Sequence, residues 1–424
     1  MDRIVKQQIL NDCNNYHFDV NALNEFVKNG DITIDEFIQH NLEISKVKEL
    51  KRLKDEREGT AEPLIPETPV KEEVPPFSHE NSWAEEPANP SLIEQLKSKH
   101  AFDIQDDIDR KLYSYDDLLN SGISKKVVTA LKYGKKIRPQ ISYTIDQLPP
   151  MQEGRTDLFF IGVPAAGKTV MLGGLLKYAN KKGIMIPDSY NNAGNVFQAD
   201  LIQDLDIGYL PKRTTIGSYN YVAASIQDSD GVSHPFNIVE VPGENYERLF
   251  KEGTSSPTEY ITSFMRYIKN KNKKILIFVI DSIVHEERFE DANLGTLDQS
   301  MAYVNILNMF KDNGVLEQTD AIYLVANKFD ALKNSRYLFS SESEEVLAKD
   351  FLDNEFKNLI NNCIHARDNS KNKFKIKIFP FSIGQVVYKD ILEEYNESYS
   401  ENIVRNLLQD SFVIKGGRFW KNMF

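Results

Sequence analysis

"LFFIGVPAAGKTVML" occupies residues 158–172, and its order of residue types decides how the rest of the chain is read. An apolar run suited to a buried strand ends at Gly162, four residues follow, and Gly167-Lys168-Thr169 opens an amphipathic pattern of helical period. The spacing G-x-x-x-x-G-K-[ST] is met at every defined position. Gly162 and Gly167 let backbone N–H groups turn inward around an anion. Lys168 offers a mobile point charge to β- and γ-phosphates, and the Thr169 hydroxyl suits Mg2+. The helix begins at the phosphates with the positive end of its dipole towards them. Ala165, Ala166 and Val170 complete the stretch expected to line that site. Pro164 has no N–H to give, so its part of the turn is expected to face away from the phosphates.

Working outward, strands alternate with helices. Strand patterns fall at 157–162, 220–227, 236–241, 274–281, 321–327 and 374–382. Helical patterns follow Lys168 and Thr254 and cover about 296–313, 343–362 and 400–410. Apolar strands separated by helices predict an α/β fold with a doubly wound sheet. The turn "DSDGVSHP" between 220–227 and 236–241 predicts a hairpin, hence an antiparallel edge. Residues 182–212 are too many for a simple loop, and "NVFQADLIQDLDIGYL" within them predicts a helical insert beside the phosphate loop.

The N-terminal part is different. Residues 55–97 are rich in Pro and Glu without helical or strand period, which predicts an acidic, extended, disordered linker. On either side lie two similar segments, "FDVNALNEFVKNGDITIDEFIQHNLEIS" from Phe18 and "FDIQDDIDRKLYSYDDLLNSGIS" from Phe102. Thr33 with Glu36, and Ser114 with Asp117, have capping-box spacing, and Ser45 and Ser124 can each cap a further short helix. The organisation expected is a helical module at 1–54, the linker at 55–97, a second helical module at 98–138 and the α/β domain at 150–424. Neither module carries clustered catalytic or metal-binding side chains. Their expected work is to engage a protein partner or to pack as a stabilising cap.

Composition excludes several classes. A formal net charge of −12 argues against a coat for nucleic acid or acidic lipid. Two distant cysteines, Cys13 and Cys363, give no disulfide framework and no metal spacing. The seven histidines show no pairing at metal spacing either. The first residues lack the apolar core of a signal peptide, and "ILIFVI" at 275–280 is far short of a membrane span. A cytoplasmic protein with no membrane or nucleic-acid partner is expected. Phe419, Trp420 and Phe424 near the end are expected to pack back on the domain.

Two later stretches bring a family into view. "VEVPGE" places Glu240 and Gly243 after a strand, and "VANKFDAL" places Asn327, Lys328 and Asp330 after another. Together with the loop at 162–169, the region 155–385 resembles the translation-factor-related class of P-loop GTPases, here with N-terminal helical repeats. The many Asn, Lys and Ile residues point to a bacterial source. The resemblance implies guanine nucleotide (GTP or GDP) and Mg2+ as ligands, and hydrolysis of GTP in a molecular switch. Asp330 would accept hydrogen bonds from guanine N1–H and its exocyclic amine, a donor pair that adenine lacks. Asn327 would tie its loop to the phosphate loop, and the stem of Lys328 would lie along the base.

Gly243 would offer its N–H to the γ-phosphate. Glu240 stands where the family motif D-x-x-G has aspartate, and would reach the metal's hydration shell through one more methylene. Glu244 follows the glycine, where the family often has glutamine or histidine to orient the attacking water. "LPKRTTIGSY" at 210–219 occupies the first switch region, with Thr215 favoured over Thr214 as the Mg2+-sensing threonine. Arg213 there is a candidate charge-stabilising residue, and the implied catalytic set is Lys168, Glu244 and Arg213. Ser382 and Ile383 in "FSIG" resemble the weaker fifth motif that contacts the base. Two competing readings stay open: a nucleotide-binding scaffold that hydrolyses poorly, motivated by Glu240 and Glu244, and an ATPase with an accidental N-K-x-D.

Overall fold

Strand β1, Thr156–Ile161, is buried at every position, so both faces of the sheet it belongs to are covered. The computed structural model describes residues 6, 20–29, 31–39, 46, 50, 52–54, 92–134, 143–188, 192–211, 218–243, 259–283, 298–411 and 413. The chain divides into two units, Met1–Glu86 and Pro87–Phe424.

In the first unit, helices α1 (Val20–Lys28) and α2 (Ile34–Gln39) close a small core of Leu23, Ile32, Ile34, Phe37 and Leu50. The Thr33–Glu36 capping box forms: Glu36 N donates to Thr33 Oγ1 at 3.2 Å, and Thr33 N donates to Glu36 Oε2 at 2.9 Å. Ser45 lies outside the described residues.

Among the described residues, the second unit opens with four short helices. They are α3 (Leu92–Leu96), α4 (Ala101–Asp109), α5 (Tyr115–Asn120) and α6 (Lys125–Tyr133). Ser114 and Asp117 form the second capping box, and Ser124 accepts from Val127 N. Leu92–Leu96 belongs to the stretch expected to be extended; it is helical because Leu96 is wholly buried with Ile104, Leu118, Val127 and Leu131. Residues 55–91 of that stretch lie outside the described residues.

Among the described residues the sheet has seven strands, in the order β2-β3-β4-β1-β5-β6-β7. These are β2 (Met185–Pro187), β3 (Asn220–Gln227), β4 (Ser233–Glu240), β5 (Lys273–Asp281), β6 (Thr319–Asn327) and β7 (Lys375–Phe381) about β1. β4, β1, β5, β6 and β7 run parallel, and β3 is antiparallel to both of its neighbours. The mixed α/β sheet with an antiparallel side is therefore present. The outermost strand is β2, which the sequence reading did not include.

Helix α7 (Lys168–Lys181) follows β1, and α8 (Asn192–Ile207) is the insert, packed on α7 and β3. Beyond them come α9 (Glu259–Ile268), α10 (Gln299–Asp312) and α11 (Phe329–Arg336). The single helix expected at 343–362 is two, α12 (Glu344–Glu355) and α13 (Lys357–Asn369). Phe356 breaks the run at φ −117, held there by complete burial against Phe351. A second hairpin, β8 (Gly384–Val387) with β9 (Ile391–Tyr395), leads to α14 (Glu397–Asp410).

That hairpin carries the four short helices. Ile391 is part of their core, Ala101 N donates to Tyr388 O at 3.2 Å, and Lys126 Nζ donates to Glu393 O at 2.6 Å. It also pairs with the chain after α8: Leu210 N donates to Asp390 O and Leu392 N to Gly208 O, both at 2.8 Å.

At the amino ends of the central strands lies a buried polar cluster. The Asp157 carboxylate accepts from the amides of Asn237, Asn270 and Asn272 at 2.7–2.9 Å, and Lys274 Nζ stands 4.0 Å away. Lys274 donates in turn to the carbonyl of Asn272 at 2.6 Å. Among the described residues, no helix is long and apolar enough to cross a membrane.

Candidate functional site

The carboxyl ends of β1, β4, β5, β6 and β7 meet at one edge of the sheet, the place where doubly wound folds put their clefts. The loop from Gly162 to Gly167 leaves β1 there and enters α7. Gly167 sits at φ +85, a left-handed conformation, and a Cβ on it would fall 2.3 Å from Asn327 Nδ2. Only glycine permits both. Ala165 is also left-handed, at φ 63, and is exposed at the crest of the loop. Ala166 is buried and its N–H turns to Val163 O at 3.2 Å. Val170 lies half-buried in the first turn of α7.

Lys168 is 6 % exposed, with its ammonium over the loop's own carbonyls, 2.8 Å from Gly162 O and 3.2 Å from Val163 O. A buried cation set among the loop's carbonyls is suited to attract an anion placed in the loop. Thr169 is buried beside it, and its hydroxyl donates to Glu240 Oε1 at the end of β4. The other Glu240 oxygen accepts from Asn220 Nδ2 at 2.7 Å. Three residues on, Gly243 packs so closely on the loop that a Cβ would stand 2.3 Å from Pro164 N and 2.5 Å from the Val163 carbonyl carbon. Pro164 thus meets the backbone at Gly243.

The end of β6 reaches the same loop. Asn327 Nδ2 donates to Ala166 O at 2.6 Å, and Asn327 Oδ1 accepts from Lys328 N at 2.8 Å. This second bond closes Lys328 into a left-handed turn at φ 57, from which α11 begins. Lys328 Nζ pairs with Asp281 Oδ2 at 2.7 Å, and Ser282 Oγ donates to Asn327 O at 2.6 Å. Asp330 is exposed in the first turn of α11. Burial first, then the Glu344 carboxylate and more weakly Asp330, push the Tyr399 phenol well above its usual range. Asn327 is in register with Phe381 of β7, so the buried Ser382 and Ile383 follow immediately beside it. Ser382 Oγ accepts from Gly384 N at 3.1 Å.

Gly162, Ala166, Gly167, Lys168, Thr169, Glu240, Gly243, Asn327 and Lys328 are therefore joined by direct contacts. Asp330 flanks them in the first turn of α11, and Ser382 and Ile383 just beyond the end of β7. Arg213, Thr215 and Glu244 lie outside the described residues.

Four further residues support the site and escaped the sequence reading. Asn220 braces Glu240. Tyr303, wholly buried on α10, donates to Val279 O at 2.7 Å and accepts from Val163 N at 3.3 Å, which ties the loop after β1 to β5. The Gln299 side-chain amide bonds both backbone groups of Asp281, and Ser282 holds the loop after β6. Only Asn220 had a signal: counting back across the hairpin from its turn puts it opposite Glu240. Among the described residues no group of three or more His, Cys, Asp or Glu side chains is arranged to hold a metal ion.

No protein-family model matches the chain, and no curated protein matches it. Solved structures similar to it include the nucleolar GTP-binding protein 1 of Plasmodium falciparum. It is 17% identical, over 62% of this chain and 90% of that one, with a TM-score of 0.29. The signal recognition particle receptor SRb-GTP/SRX complex of Chaetomium thermophilum is 14% identical over 55% and 94%, at 0.30. The GTP-bound Ski7 GTPase-like domain of S. cerevisiae is 12% identical over 60% and 50%, at 0.28. Likenesses this distant leave the ligand to be read from the chain's own loops.

Proposed function

We propose that the chain binds guanine nucleotide and hydrolyses GTP to GDP with Mg2+, as a switch whose nucleotide state is passed to a protein partner through its helical modules. The observation that carries this reading is the bond from Asn327 Nδ2 to Ala166 O. It fastens the loop after β6 to the loop after β1, 161 residues away in sequence, which supports a single cleft for the base and the phosphates of one nucleotide. Lys168 and the loop amides bind the phosphates, Gly243 meets the γ-phosphate, and Asp330 selects guanine by its two donors. The stem of Lys328 lies along the base, and Ser382 and Ile383 complete that pocket.

Mg2+ fits the residues present. Thr169 and Glu240 supply a hydroxyl and a carboxylate, the hard oxygen donors this ion takes. Asn220 Oδ1 beside them is a buried acceptor without a hydrogen-bond partner. When bound, Mg2+ neutralises charge on the β- and γ-phosphate oxygens. Thr215 would complete the metal's protein contacts, Arg213 would stabilise transition-state charge, and Glu244 would orient the attacking water.

The test is base choice. The wild-type chain is expected to bind GDP at least about a hundredfold more tightly than ADP, well inside the roughly 10^4-fold discrimination of sites whose polar groups a wrong ligand leaves unpaired. Asp330→Asn is expected to shift preference towards xanthine nucleotides, whose second carbonyl accepts from the new amide. Equal affinity of the wild type for ADP and GDP would overturn the guanine assignment. GTP turnover in Glu244→Ala equal to wild type would remove Glu244 from catalysis. No turnover in either chain would leave the nucleotide-binding scaffold.

A further inference from the structure

Glu240 differs from the aspartate expected at its position by one methylene, and that extra torsion has to be fixed if its carboxylate is to meet a metal's hydration shell at a defined point. Asn220 supplies the constraint. It is the first residue of β3 and stands directly across the β3–β4 ladder from Glu240, and both side chains are 1 % exposed. Asn220 Nδ2 donates to Glu240 Oε2 at 2.7 Å, while Glu240 Oε1 receives the Thr169 hydroxyl. The carboxylate is thus gripped at both oxygens, from β3 on one side and from α7 on the other.

The other end of the amide is unusual. Asn220 Oδ1 is buried and makes no hydrogen bond. Turning the amide over would set its oxygen against the Glu240 oxygen, so the orientation is fixed by repulsion. Buried acceptors without donors are rare because water has been lost and nothing replaces it. Mg2+ keeps several of its waters in protein sites, and each such water donates to acceptors around the ion.

We propose that Asn220 is a positioning residue of the metal site. Its amide N–H groups hold Glu240 in place, and its carbonyl oxygen accepts a hydrogen bond from a water carried by Mg2+. The inference rests on the proposed nucleotide site for its metal half, and on the Asn220–Glu240 contact alone for its anchoring half.

Two measurements separate the halves. The first is the rate of fluorescent GDP release, with Mg2+ titrated in and with EDTA in excess. In Asn220→Ala the Mg2+ midpoint is expected to rise about tenfold, the loss typical of one hydrogen bond to a charged group. The release rate in EDTA is expected to equal the wild type's, because the nucleotide's own contacts are intact. An unchanged midpoint overturns the metal half; an equal rise in release rate with and without Mg2+ does so too, since the residue would then act on the nucleotide.

The second measurement is urea unfolding of the nucleotide-free chain in a cycle of Asn220→Ala, Glu240→Met and both. A coupling of about tenfold in the unfolding constant is expected for a contact of this kind. Additive effects overturn the anchoring half. Asn220→Ser serves where the alanine variant does not fold. If the wild type binds no guanine nucleotide, the proposed function and the metal half fall together, and the unfolding cycle still decides the anchor.

Discussion

Truncating Asn327 to alanine strikes the join between the two loops of the cleft. Its side chain is 4 % exposed and makes two bonds, 2.6 Å from Nδ2 to Ala166 O and 2.8 Å from Lys328 N to Oδ1. Removing a buried partner typically costs about 1–3 kcal/mol per group left behind. The two groups here give roughly 2–4 kcal/mol, allowing for some relaxation of the exposed side of the turn. Both bonds exist without ligand, so part of the loss is expected as reduced stability, on the order of 1–2 kcal/mol in urea unfolding. The remainder falls on binding, because GDP would have to order the Lys328 turn and the phosphate loop itself. At 1.4 kcal/mol per decade that is about a tenfold or greater rise in the Kd for GDP. Asn327→Asp keeps an acceptor for Lys328 N but turns a carboxylate towards Ala166 O, and is expected to bind more weakly than the alanine variant. The assay is displacement of fluorescent GDP, with unfolding run in parallel. A Kd within twofold of wild type in Asn327→Ala, with unchanged unfolding, would refute the claim that this bond unites the cleft.

Gly243→Ala drives a Cβ into the backbone of Val163 and Pro164, with no flexible side chain to give way; a stability loss of about 1–3 kcal/mol and weakened GTP binding are expected, and a native melting temperature with native affinity would contradict this. Burial takes Lys274 from its ordinary 10.5 down to about 8, against a partial counter-pull from Asp157. From about pH 8 to 10.5 the unfolded chain therefore holds a proton that the folded chain has shed. Stability from this residue rises with pH across that window, by at most ~1.4 kcal/mol per unit, and is constant below it. Urea midpoints of wild type and Lys274→Met at pH 7 and 9.5 test it, and identical trends in both would refute it. The Cys363 thiol is wholly buried and pushed up to about 12, so thiol reagents at pH 8 are expected to label it only on unfolding. Site-resolved mass spectrometry checks this, and rapid labelling of Cys363 in the native chain would contradict it.

The central strands were legible because burial on both faces leaves unbroken apolar runs, and β3 matched its expected span, Asn220–Gln227, because the "DSDG" turn sets its end. β2 is three residues long and ends in Pro187, too short for any period to show. The β8–β9 hairpin alternates for only a few residues a side, and its stability comes from Ile391 entering a helical core, which local pattern cannot reveal. In the cleft, the phosphate loop and the Asn327–Asp330 stretch stood out because their chemistry fixes their spacing. Asp281 did not: its partner Lys328 comes from the end of the next strand over, 47 residues on. Asn220 is legible only once the hairpin register is known, and Tyr303 only once α10 is laid on β5. Such partners are chosen by tertiary packing, and no local spacing announces them.

The β8–β9 hairpin starts two residues after Ser382, lends Ile391 to the helices of 92–134, and is stitched to Gly208 and Leu210 at the approach to 212–217. One narrow ribbon thus works as a tie-rod with three loads on it. Unseating Ile391 would slacken the floor under the helices and the brace behind Ser382 and Ile383 at the same moment. Mutational tolerance in the two regions is consequently shared, and a deletion meant to silence the helices would also be felt at the mouth of the cleft.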